Sequence, residues 1–131
     1  MMSALRTALK HQTDIAESVR HVVETTGAAL PRTVRLEAVT GDAVSAVETG
    51  VFEAAFRDLL IEAVRWCDYD DDIRVQVVAG TEAVRVDVCV PSPGPHLSHL
   101  RLVFDAIGVQ LQILVYLGRS TTVRLIIPRR R

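Results

Sequence analysis

From residue 15 the apolar positions fall at Ile15, Val19, Val22 and Val23, a helical spacing that gathers them on one face. Asp14 followed by Glu17 makes a capping-box-like start, and Gly27 is a natural stop. After Pro31, Thr33–Ala38 alternates as a strand, Gly41-Asp42 marks a turn, and a short strand is expected near Ala43–Val47. The strongest helical pattern runs from Thr49, a suitable cap, to Trp66, with Phe52, Phe56, Leu59, Leu60 and Ala63 on its apolar face. The acidic stretch 67–72 ends it. Two strands follow, Ile73–Ala79 and Val84–Val90, joined through Gly80-Thr81-Glu82. Side chains alternate along a strand, so the inward sets are Ile73/Val75/Val77 and Val84/Val86/Val88/Val90. Leu97–Ile107 reads as another core helix, with Leu97, Leu100, Val103, Phe104 and Ile107 on one stripe and Gly108 closing it. Leu111–Leu117 and Thr121–Ile127 form a last hairpin about Gly118-Arg119-Ser120.

The order is therefore α-β-(β)-α-β-β-α-β-β. Hairpin strands interleaved with three helices predict a two-layer α+β sandwich, a mixed and mostly antiparallel sheet with helices on one face. The domain is expected over 13–128, with 1–12 an N-terminal tail or linker and 129–131 a basic C-terminal tail. On the outward side of the closing hairpin, Leu114, Tyr116 and Ile126 are not polar; an apolar outer face there would be a partner or dimer surface, and the alternative is a scatter of surface hydrophobes.

At 131 residues the chain can bury a real core, and its net charge of −1 calls for neither nucleic acid nor an anionic membrane. Cys67 and Cys89 lack metal-ligand spacing and read as buried or half-buried thiols in a reducing compartment. No run of 18 apolar residues is free of charge, and the first residues lack a signal-peptide apolar block. A cytoplasmic protein is the expectation.

Four strings, in this order, resemble the ATP-binding catalytic domain of bacterial histidine kinases, of the Bergerat-fold (GHKL) ATPase superfamily. "TDIAESVRHVVE" (13–24) looks like that family's opening helix, and "FRDLLIEAVRW" (56–66) resembles the helix holding its Asn box. "VRVDVCVPSPG" (84–94) resembles the strand entering its Asp-x-Gly-x-Gly box, and "GVQLQILVYLGRSTTVRLIIP" (108–128) its closing hairpin. The resemblance implies a Bergerat-like sandwich and a place in two-component signalling.

It also implies where nucleotide chemistry would sit, and there the sequence departs from the family. The two Asn-box positions fall on Asp58 and Glu62, four apart on one helix face, where Arg65 can relieve their repulsion. The aspartate that accepts the adenine amino group falls on Val90, which offers no acceptor. The first box glycine falls on Ser92, and only Gly94 is kept. Where the family carries a lid of about ten to twenty residues, six residues stand between Val90 and Leu97, three of them proline. Prolines donate no backbone N–H to phosphate and stiffen a segment that must close. A threonine of the closing hairpin lines the adenine pocket in the family, so Thr121 or Thr122 is its remnant here.

The implied reading is a degenerate, pseudo-ATPase module without a cofactor. Its expected partner is a protein such as a response regulator or a histidine kinase, or a second copy of itself. The alternative is an ATP-binding protein kinase like the anti-sigma kinases, with Glu62 on magnesium and Asp58 as base.

The remaining motifs are bland. Ser3–Leu9 echoes a histidine-box string with serine at the phosphoacceptor position. His11 and His21 read as solvated, and His96 and His99 flank the shortened loop without further metal ligands. Asp68 and Asp70–Asp72 lack the glycine and glutamate of a calcium loop, and Arg129–Arg131 read as a solvated terminus.

Overall fold

The computed structural model of the chain describes residues 12–30, 33–65, 67, 72–91, 98–116 and 120–129. Its elements are β1 (Thr13–Asp14), α1 (Ile15–Gly27), β2 (Val34–Thr40), β3 (Val44–Ser45), α2 (Thr49–Arg65), β4 (Ile73–Ala79), β5 (Ala83–Val90), α3 (Ser98–Ala106), β6 (Gln110–Tyr116) and β7 (Ser120–Pro128). Five strands form one sheet in the order β2-β4-β5-β7-β6, and β1 pairs with β3 alone. Within the large sheet β2 and β4 are parallel and the other neighbours antiparallel. A parallel pair needs a crossover connection, which the β3–α2 segment supplies. The α+β sandwich with a mixed, mostly antiparallel sheet is as expected.

The alternation read from the sequence is what the sheet uses. Ile73, Val75 and Val77 of β4, Val84, Val86, Val88 and Val90 of β5, and Val123, Leu125 and Ile127 of β7 are all fully buried on one face. Against them lie Ile15, Val19 and Val22 of α1 and Phe52, Phe56, Leu59 and Leu60 of α2, each also sealed from solvent. Each such side chain contributes roughly 1.5–3 kcal/mol of transfer free energy. The Phe52 and Phe56 rings, one turn apart, stack with centroids 5.8 Å apart. At the start of α1, Asp14 accepts from the Glu17 amide at 3.3 Å, the first half of the expected capping box.

Several local expectations are corrected. Thr49 does not cap α2; it is the helix's first residue, and its hydroxyl lies 2.7 Å from Thr13 Oγ1. Thr13 spends its own proton on the Val47 carbonyl, so Thr49 is the donor to it. Val103 leaves the core stripe of α3: Leu100 and Phe104 are buried, whereas Val103 and Leu102 are exposed. Leu97 lies outside the described residues.

Arg129 is not a solvated terminus. Its guanidinium donates to the carbonyls of Gly80 (2.7 Å), Val44 (3.4 Å) and Asp42. Its backbone N–H donates to Glu82 and its carbonyl accepts from Ala46. Ser45 adds a bond from its hydroxyl to the Pro128 carbonyl at 2.7 Å. The β2–α2 connection is thereby stitched to the end of β7. Within that connection Gly41 has φ +79°, and a Cβ there would come within 2.9 Å of Ala79 Cβ.

Among the described residues, the outer face of the sheet carries one buried charge. Asp87 of β5 faces its cross-strand partner Arg124 of β7. Its oxygens accept from Arg124 Nε (2.9 Å) and Nη2 (3.2 Å) in a fork, and only 9% of its side chain is exposed. Arg85 Nε stands 3.4 Å away on the other flank, within ion-pair range but without hydrogen-bond geometry. These bonds from Asp87 raise the Arg124 guanidinium above its ordinary pKa, against a smaller opposing effect of burial.

Two stability changes follow. Asp87→Asn halves the fork and strips its charge, and costs about 1–3 kcal/mol in urea denaturation, less than breaking a fully buried pair because the partly exposed Arg124 can rehydrate. Gly41→Ala meets both the positive φ and the Ala79 contact, and lowers stability by about 1–2 kcal/mol in the same assay.

Candidate functional site

The nucleotide positions implied by the sequence gather at one end of β5. Val90 is its last residue, and its side chain continues the inward row to point between sheet and helices with no exposure. Directly across the ladder stands Thr121 of β7, also fully buried. Thr122 is turned to the other side of the sheet by the same alternation. There its hydroxyl lies 3.5 Å from Cys89 Sγ. Of the two threonines, Thr121 shares a face with Val90.

Asp58 and Glu62 lie one turn apart on α2, flanked by the buried Leu59, Leu60 and Ala63. Asp58 is exposed. Glu62 sits at the margin of the buried face, with 16% of its side chain exposed, and its Oε1 accepts from Arg65 Nη1 at 3.1 Å. Arg65 thus relieves the like-charge pair as its i+3 position suggested. Gly94 falls in 92–97, outside the described residues, as does Ser92. The helix α3 resumes at Ser98.

Val90 closes the end of β5 with methyl groups, and Thr121 opposite is buried with it, so neither presents a carboxylate between sheet and helices.

A cavity of about 600 Å³ lies at the same end but opens on the outer face. Asp72, Arg74, Cys89, Val90, Pro91, Tyr116, Ser120 and Thr122 line it. Sequence reading missed it, although Arg74, Cys89 and Thr122 are the outward positions of three neighbouring strands at one level. Its charges are already engaged: Asp72 pairs with Arg35 at 3.0 Å, and Arg74 lies 3.8 Å from Glu37. Neither cysteine forms a disulfide; Cys67 is buried and Cys89 half-buried.

Leu114 and Tyr116 of β6 and Ile126 of β7 all face outward. Leu114 stands opposite Thr122, Tyr116 opposite Ser120, and Ile126 opposite Gln110. The Gln112–Arg124 pair separates Leu114 from Ile126, so the apolar positions form a strip at the β6 margin and one separate residue. His21 and His99 are exposed. Among the described residues no three His, Cys, Asp or Glu side chains are grouped to hold a metal, and no helix is long and apolar enough to cross a membrane.

No family model and no curated protein matches the sequence. Solved structures do match the fold. The catalytic domain of histidine kinase ThkA superposes with a TM-score of 0.73 at 15% identity, over 91% of this chain and 96% of that one. The histidine kinase domain of the E. coli osmosensor EnvZ gives 0.72 at 11%, over 91% and 88%. Acinetobacter baumannii histidine kinase AdeS gives 0.71 at 12%, over 90% of this chain and 66% of that one. At such identities the likeness speaks for architecture, and the architecture of this chain is that of the catalytic ATPase domain of histidine kinases.

Proposed function

We propose that the chain is a non-catalytic, histidine kinase-like module that works in cytoplasmic signal transduction by binding a protein partner, a response regulator or a histidine kinase. The observation that carries this reading is Val90: apolar, sealed in the core, and set at the strand end where the fold's nucleotide-binding members need a carboxylate. An adenine amino group placed there would lose a charge-assisted bond and leave a buried donor unpaired, a penalty of roughly 1–3 kcal/mol or more. Glu62, the residue left to hold magnesium, is already engaged by Arg65. Pro91, Pro93 and Pro95 have no backbone N–H to offer a phosphate. With the pocket chemistry gone, surface is what the fold offers, and Leu114 and Tyr116 supply its apolar part.

Two measurements test this. In a thermal-shift titration, ATP with magnesium leaves the melting temperature unchanged up to millimolar nucleotide. Saturable stabilisation of a few degrees would overturn the proposal and favour an ATP-binding protein kinase with Glu62 on magnesium. Separately, Val90→Asp buries an unpaired carboxyl and lowers stability by at least about 3 kcal/mol in urea denaturation. A loss below about 1 kcal/mol would show that this end of β5 is open enough to admit a polar ligand.

A further inference from the structure

The two edges of the sheet are built differently. β2 carries Arg35 and Glu37, and its pairing with β4 slips between Leu36 and Ala38. Charge and irregularity are the devices that keep an edge strand from pairing with another chain. β6, at the opposite edge, reads Gln-Leu-Gln-Ile-Leu-Val-Tyr: seven residues without a charge or a proline, in unbroken register with β7. Among the described residues no strand bonds to its other side. Exposed apolar side chains gather at the same margin. Val115 is 56% and Tyr116 51% exposed, and α3, which packs on β6, exposes Leu102 (72%) and Val103 (41%).

We propose that β6 pairs antiparallel with β6 of a second copy of this chain, about a two-fold axis through Ile113 and perpendicular to the sheet. This pairing sets Leu111 opposite the second copy's Val115 and Gln112 opposite its Leu114, with Ile113 opposite itself. Each residue meets one of its own face, so the core-side row Leu111/Ile113/Val115 continues across the joint and glutamine and leucine meet on the outer side. An uncharged strand meets its own copy without repulsion, and this edge carries no charge by which a different partner would be selected. The same axis brings two α3 helices to one side of the joint, where Leu102 and Val103 add apolar area. The proposal is independent of nucleotide binding.

Sedimentation equilibrium, or light scattering after gel filtration, on the 131-residue chain should give a dimer that dissociates on dilution. Val115→Lys, at an exposed position, should raise the dissociation constant about tenfold or more with unchanged far-UV circular dichroism. Gln112→Lys and Leu114→Glu test the register. Each alone weakens self-association, whereas mixing the two restores a one-to-one dimer, because the substituted positions oppose one another across the axis. A monomeric wild type at every concentration overturns the proposal and leaves the edge to a different protein or to residues 1–11. A dimer indifferent to all three substitutions also overturns it, placing the interface elsewhere. Should Val115→Lys fail to fold, the mixing experiment decides alone.

Discussion

The fork between Asp87 and Arg124 fixes the sheet from its polar side. A strand with period two has only two ways to face a core, and a slip of one residue exchanges them. On β5 the correct choice buries four valines; the wrong one would bury Asp87 and Arg85 beneath the helices. The apolar row sets the facing of each strand, and the fork locks β5 to β7 at one register across the two inner strands of the closing hairpin side. Once that register holds, Val90 must stand opposite Thr121, and β6 must end level with them. The geometry of the site is thus a consequence of a charge pair on the opposite face.

How much of this the sequence disclosed depended on range. The inward rows of β4 and β5 were legible because alternation is a property of neighbouring residues, and so was the Asp14–Glu17 start of α1. The facing of Val90 came with the row it extends. What escaped were features made by distant partners. β1 is two residues paired with β3, and no local pattern announces such a pair. Arg129 looked like part of a basic terminus because its acceptors lie far back in the chain. Choosing between Thr121 and Thr122 required the hairpin register, and the outer cavity required strand order. Val103 followed the helical period onto a face that is exposed among the described residues.

The fold therefore separates two inheritances. Its scaffold, from the opening helix to the closing hairpin, matches the catalytic domains of histidine kinases over nine-tenths of the chain. At the end of β5 it presents packing, with Val90 and Thr121 both sealed from solvent. A fold does not carry a function by itself; a few side chains do. Here those positions hold methyl groups and a carboxylate already paired, while the margin of the sheet keeps apolar side chains in water.

The Arg129 clasp sets an order of events during synthesis. Its acceptor at Val44 is made 85 residues earlier, which at ~5–20 residues per second means that this carbonyl waits ~4–17 s for its donor. Until then the β2–α2 connection has no hold on β7, and β5 lacks its neighbour on that side. The nascent chain must pass through a stage in which β4 and β5 can pair while the Val84–Val90 row is only half covered. That interval, more than the finished domain, is when this valine-rich hairpin depends on protection from its surroundings.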